Sequence, residues 1–386
     1  MRFNFALALA VLAVAAAAAA RPAAAATAGR LPEPCSGALL SDFDSDALPS
    51  LRNAFTMALL SSDAYPATLL PHASNAKYNT LVYQDTLRRR WAALGARSVE
   101  VVDDFEDNLE AHALVAASAS DVFIAFRGTS TTEGWTSNVR IAPWKLASGS
   151  GAEGAPGGGL QVHSGFLASF AAVYPRVAKE VAKAMEHTVD NPGAARVFIS
   201  GHSLGGAHAM LAALALADSG AKIGGVWTFA APKAGKGDFV EAYMRRFGDV
   251  TFRWVNGLDI VPTLPPDLPG MAEPFRQLPA DSTLWRTLNG RCVKASGPLL
   301  LDCPPASEAA PAEEEDAGKD GKRGKRRTKG REERCSFVMA DHRLYKALAS
   351  LGRCVAAEAE AAGDLCTQQL VASYMPAKSD DEGQRG

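Results

Sequence analysis

The 386-residue sequence predicts an α/β fold with a mainly parallel sheet and helices on both faces. Three observations carry this expectation. Strand-like and helix-like segments alternate from residue 99 to residue 256. A Gly-x-Ser-x-Gly run, Gly201-His202-Ser203-Leu204-Gly205, stands where one such strand meets the next helix. The composition, 47% hydrophobic and 21% charged, suits a soluble globular chain rather than a disordered or membrane-embedded one. A net charge of −2 also argues against a wholesale nucleic-acid binder, whose phosphate contacts need a basic face.

The chain opens on Arg2 and an uncharged apolar run over 5–20. Arg21-Pro22 ends the run, and Ala26-Thr27-Ala28 follows. A basic start, a short apolar stretch and small residues at a cleavage point read as a secretory signal peptide over 1–28. The run is short for a spanning helix. Secretion is the expected location, with an organelle or endomembrane lumen as the alternative. Residues 29–386 are expected to form a single domain.

Within it, Leu48, Leu51, Phe55, Ala58 and Leu59 recur at helical spacing, which predicts a helix over 46–62. Strands are expected over 99–105, 113–117 and 122–126. Gly and Ala dominate 148–159, which reads as a loop. Phe170, Val173, Val177, Val181 and Ala184 mark a helix over 166–187. A buried strand at 197–200, a helix at 204–217, a strand at 226–230, a helix at 239–247 and a strand at 251–256 complete the alternation.

Residues 307–334 differ in kind. Glu313-Glu314-Glu315-Asp316 is followed by nine Lys and Arg between Lys319 and Arg334, with no aromatic or large aliphatic residue. Such a stretch has nothing to bury and is expected to be a disordered insertion, spanning 304–334. Six cysteines behind a signal peptide suggest disulfides, and none forms a Cys-x-x-Cys pair of the kind zinc sites use.

The chemistry centres on Ser203. A strand–serine–helix turn strains the serine backbone, and small neighbours relieve the crowding; Gly201, Gly205, Gly206 and Ala207 supply them. The helix N-terminus favours negative charge developing beside it. A serine hydroxyl needs a base, and the base an orienting acid. Where a serine elbow starts a helix, the acid and then the histidine follow in chain order. Of seven histidines, only His342 lies beyond that helix. His202 and His208 read as turn and helix-surface residues. Asp259 ends an apolar strand segment and is preferred as the acid over Asp302 and Asp341. Phe126-Arg127-Gly128-Thr129 closes another strand, where Thr129 and the Leu204 N–H suit an oxyanion.

Six motifs in order, Phe-Arg-Gly-Thr (126–129), Val-His-Ser-Gly-Phe (162–166), Gly-His-Ser-Leu-Gly-Gly (201–206), Thr-Phe-Ala-Ala-Pro (228–232), Asn-Gly-Leu-Asp-Ile-Val-Pro (256–262) and Asp-His-x-x-Tyr (341–345), resemble the class 3 lipases. That resemblance implies an α/β-hydrolase fold. It implies Ser203 as nucleophile, Asp259 as acid, His342 as base, and Thr129 with Leu204 as oxyanion donors. It implies a lid over 130–161, in which Trp135, Ile141, Trp144 and Leu146 would meet lipid. Asn138 stands where many relatives carry Asp. Asp259 and His342 are 83 residues apart; without Pro304–Arg334 the separation becomes ordinary for the family. The resemblance also suggests the pairings Cys35–Cys354, Cys292–Cys303 and Cys335–Cys366.

The expected activity is therefore hydrolysis of acylglycerol esters at a lipid–water interface, with peripheral lipid contact and neither metal nor organic cofactor. Phospholipid, galactolipid and feruloyl esters are alternatives on the same scaffold. A catalytically inactive binding protein of the same fold is the rival from another class.

Overall fold

The computed structural model describes residues 39–40, 43–46, 48, 50–66, 80–103, 112–129, 143–145, 159–256, 259–266, 273–279, 284–288, 291–294, 344–362 and 364–374. The segment 1–38, the expected insertion over 304–334, His342, and Trp135, Ile141 and Leu146 of the expected lid lie outside the described residues.

Helix α1 is Leu51–Asp63. It begins later than the apolar period suggested because Ser50 caps it, its hydroxyl accepting the Asn53 N–H at 3.0 Å. The Asn53 amide donates to Asp44 O, which holds the preceding segment in a non-helical path. Helix α2, Thr80–Ala92, was not anticipated. Among its described side chains the buried stripe is Tyr83, Leu87 and Trp91, one residue per turn among charged neighbours. A buried carboxylate joins the two helices. Asp63 pairs with Arg90 at 2.7 Å and accepts the Trp91 indole N–H at 2.9 Å. Burial raises its pKa, opposed by the Arg90 charge and both hydrogen bonds.

Three antiparallel-paired strands follow: β1 Ser98–Asp103, β2 His112–Ala117 and β3 Val122–Phe126. The short strands β4, Pro143–Lys145, and β5, Gln161–His163, pair antiparallel as a separate ribbon. Helix α3, Ser164–His187, leads to β6, Val197–His202, and helix α4, Leu204–Asp218. Next come β7 Ile223–Phe229, α5 Gly237–Phe247 and β8 Thr251–Asn256. Strands β9, Leu284–Leu288, and β10, Arg291–Lys294, extend the sheet beyond its expected edge. Helices α6, Leu344–Ala362, and α7, Leu365–Tyr374, close the described chain.

The eight-stranded sheet has the order β1-β2-β3-β6-β7-β8-β9-β10. It is parallel from β3 through β9, with antiparallel pairs at both ends. Alternation along each strand sends side chains to two cores. In β3, Val122, Ile124 and Phe126 join the core under α3, α4 and α5. Phe123 and Ala125 join the opposite core, formed with α1, α2, α6 and α7. Every residue of β6 is buried, as a central parallel strand covered on both faces must be. This is the α/β-hydrolase architecture: a mainly parallel sheet, helices on both faces, and a serine at the turn from a central strand into a helix. Among the described residues, no helix is long and apolar enough to cross a membrane.

Candidate active site

The C-terminal ends of the parallel strands lie along one edge of the sheet, where open α/β folds place their chemistry. Ser203 sits there between β6 and α4, with φ 58° and ψ −127°. A serine enters the left-handed region only when its surroundings hold it there. Its N–H donates to Phe229 O at 2.9 Å, and its carbonyl accepts from Gly206 N at 2.9 Å.

The glycines make this turn sterically feasible. A β-carbon on Gly201 would stand 2.0 Å from Gly205 O, and one on Gly205 would stand 2.1 Å from Phe126 O. Both clashes are with backbone, which cannot swing aside. A β-carbon on Gly206 would meet the Ala231 methyl at 2.5 Å. Strand β6, the start of α4, and the ends of β3 and β7 therefore pack main chain against main chain. Ala230, just after β7, is the other non-glycine residue with positive φ among the described residues, at 57°. The sequence predicts this strand to residue 230; the left-handed turn ends it at Phe229 and seats Ala231 on Gly206.

The loop after β3 touches the serine. A β-carbon on Gly128 would lie 2.7 Å from Ser203 Cβ and 2.6 Å from both His202 O and Tyr65 Oη. The structure thus brings Gly128-Thr129 and Ser203-Leu204 together. Leu204 is the first residue of α4, and the first N–H groups of a helix have no intrahelical acceptor. The helix start directs that partial positive charge at the serine.

Asp259 lies just beyond β8, two strands from β6, on the same edge. It is 2% exposed, and its Oδ1 accepts the Val261 N–H at 2.9 Å. This contact fixes the carboxylate as the chain turns into the short helical segment Val261–Thr263. His342, the expected base, lies outside the described residues. Trp144 is on β4 opposite Val162, and only its backbone is described.

Of the two neighbouring histidines, His208 departs from the place expected of it. His208 is not on the surface of α4. It is fully buried, with Nε2 2.8 Å from Ser169 Oγ on α3, and burial pushes its pKa down to about 3. His202 is also buried, with Nδ1 2.7 Å from Tyr65 Oη. His163, which precedes α3, is stacked on Phe166 with ring centroids 4.0 Å apart; burial lowers its pKa to about 4. Tyr65 was missed because no periodicity or spacing marks a lone tyrosine two residues past a helix end.

Residues 123–268 match the family described as Lipase (class 3). The matched segment is less than half of the chain. It contains Thr129, Ser203, Leu204 and Asp259. The chain is 32% identical over 163 residues to a lipase of Rhizomucor miehei, covering 41% of each protein. It is 32% identical over 153 residues to a chloroplastic phospholipase A(1) of Arabidopsis thaliana, covering 38% of this chain and 34% of that one. The chain thus spans between a third and about two fifths of the length of these curated relatives. A solved triacylglycerol lipase whose catalytic centre is a serine protease triad superposes with a TM-score of 0.44 at 23% identity, over 62% of this chain and 80% of that one.

Proposed function

We propose that this protein is a secreted serine ester hydrolase that cleaves acylglycerols through a Ser203–His342–Asp259 triad. The observation carrying the proposal is the Ser203 backbone: φ 58° at a strand–helix turn cleared by Gly201 and Gly205. Strain of this kind costs about 1–3 kcal/mol and is kept where a reactive side chain must project.

In the proposed reaction, the Ser203 Oγ attacks the ester carbonyl while His342 Nε2 accepts its proton. The negative charge forming on the carbonyl oxygen is met by the Leu204 N–H and by Thr129. Gly128 is not the donor from that loop, because its N–H is committed to Tyr65 Oη at 2.9 Å. His342 then gives its proton to the departing alcohol, leaving an acyl-serine. Water, activated by the same histidine, releases the fatty acid. Asp259 holds the imidazole in the required tautomer; its carboxylate is buried and anchored by Val261 N–H.

The acylglycerol substrate is supported by the family of residues 123–268 and by relatives named as lipases. Phospholipid is the second substrate, supported by the plant phospholipase A(1) among the relatives. Secretion is supported by the 1–28 pattern, by a disulfide at Cys354, and by relatives named as secreted acylglycerol lipases of Malassezia. We further propose that 29–386 forms one domain with a lid over 130–161 bearing Trp135, Ile141, Trp144 and Leu146.

The test is Ser203→Ala in the mature chain. Esterase activity on tributyrin and on p-nitrophenyl butyrate should fall to background with folding intact. Activity that survives the substitution would refute the assignment. A sharp rate rise above tributyrin solubility separates a lipase from an esterase that saturates normally.

A further inference from the structure

Tyr65 stands at a junction of three elements. It lies two residues past the end of α1, beside the turn after β3 and the end of β6. Its hydroxyl accepts the Gly128 N–H at 2.9 Å and lies 2.7 Å from His202 Nδ1. The two rings meet edge to face, with centroids 5.8 Å apart. Gly128 directly precedes Thr129, and His202 directly precedes Ser203. One phenol oxygen therefore touches the residue before the proposed oxyanion donor and the residue before the proposed nucleophile.

The position of that oxygen is set from behind. Asp63 is buried against Arg90 and Trp91, and the Tyr83 hydroxyl donates to Asp63 O at 2.5 Å. The Tyr65 N–H donates to Ser62 O at 3.1 Å, so its backbone continues the last turn of α1. The buried ion pair anchors the end of α1, and the end of α1 carries the phenol. Burial raises the Tyr65 pKa, opposed by the Arg127 charge and the Gly128 N–H. The phenol is thus neutral at working pH and keeps its proton for hydrogen bonding.

We infer that Tyr65 is a positioning residue for ester hydrolysis: its hydroxyl, bridging Gly128 N and His202 Nδ1, fixes the spacing between the Thr129 oxyanion donor and Ser203 Oγ. This rests on the proposed serine mechanism. The geometry has a definite consequence. Oxyanion donors act only if they stand at hydrogen-bond distance from where the charge will form, so a loosened loop raises the barrier without weakening ground-state binding.

The test is Tyr65→Phe, assayed with p-nitrophenyl butyrate and with butylboronic acid. The boronic acid mimics the tetrahedral intermediate: Ser203 Oγ adds to boron, and its proton passes to the base. Rates are taken per serine titrated with a fluorophosphonate, so that loss of folded protein is removed from the comparison. The expected result is a kcat lower by about tenfold to a hundredfold, with KM within about twofold and boronate affinity weakened alongside kcat. His202→Asn, which keeps a polar atom near the Nδ1 position, should retain more activity than His202→Ala. Unchanged kcat and boronate affinity per titrated serine would overturn the role of Tyr65, whatever happens to the melting temperature. Failure of the fluorophosphonate to label Ser203 in the unsubstituted chain would sink the serine mechanism and this inference together. Normal labelling with an unaffected variant would sink the role of Tyr65 alone.

Discussion

Replacing Gly205 by alanine probes the packing on which the serine turn depends. The new methyl would lie 2.1 Å from Phe126 O, 2.6 Å from Phe126 C and 2.8 Å from Arg127 O. Ordinary carbon–oxygen contact begins near about 3.4 Å, so the end of β3 and the start of α4 must separate by about 1 Å. Both obstacles are main chain in a sheet buried on both faces, and neither has a rotamer that offers relief. Overpacking of a tight core costs about 1–3 kcal/mol, and this site belongs at the upper end. The same separation would pull the Gly128-Thr129 loop from Ser203, and about 1 Å of misplacement costs about a hundredfold in rate. Gly205→Ala should therefore unfold about 3 kcal/mol more easily in urea and lose about two orders of magnitude in kcat. Gly193→Ala is the matched control, since its β-carbon would meet only Asn191 Oδ1, at 3.6 Å. If Gly205→Ala matches the control in urea midpoint and kcat, the packing argument is wrong.

Ser203→Gly should abolish activity yet stabilise the fold by about 1 kcal/mol, because glycine accepts φ 58° without strain; equal or lower stability in urea would contradict stored strain. Asp259→Asn should lower kcat by about four orders of magnitude with little change in fold, as expected when a histidine loses its orienting carboxylate; activity near the unsubstituted level would point to Asp302 or Asp341 as the acid. Stability should fall as pH drops from about 6.5 toward 3. His208 and His163 have folded pKa values of about 3 and about 4, below their unfolded values, so the unfolded chain binds more protons across that window. His208→Gln should flatten the slope of urea midpoint against pH; an unchanged slope would place the acid sensitivity elsewhere.

How much of this was legible depended on how local each signal was. Strands β3 and β8 match the expected 122–126 and 251–256 at both ends; β3 is an uninterrupted apolar run bounded by Asp121 and Arg127, and β8 carries Phe252, Trp254 and Val255 around a buried Arg253. Helix α3 carries strong apolar spacing and α4 is apolar nearly all round; they differ from expectation by one or two residues at their ends. Helix α2 escaped because its single buried stripe is diluted by Arg88, Arg89 and Arg90, whose roles appear only in three dimensions: Arg90 pairs with Asp63 across 27 positions of sequence. Strands β9 and β10 are short, and β9 finds its place by pairing parallel with β8. Ser203 and Asp259, the proposed nucleophile and acid, stood out because both follow strand-like segments in the expected chain order. Tyr65 was not, since its importance comes from a contact 137 residues distant with His202. His208 was misjudged because a histidine in an alanine-rich helix looks solvent-facing until α3 is packed over it with Ser169 in reach.

The central claim, that Ser203 carries the acyl group, is tested most directly by trapping it. The mature protein would be incubated with a fluorophosphonate, digested and mapped by mass spectrometry. The account predicts one adduct per chain, on the peptide containing Ser203, forming in step with loss of esterase activity. An adduct on another residue, or esterase activity that survives complete labelling of Ser203, would contradict it.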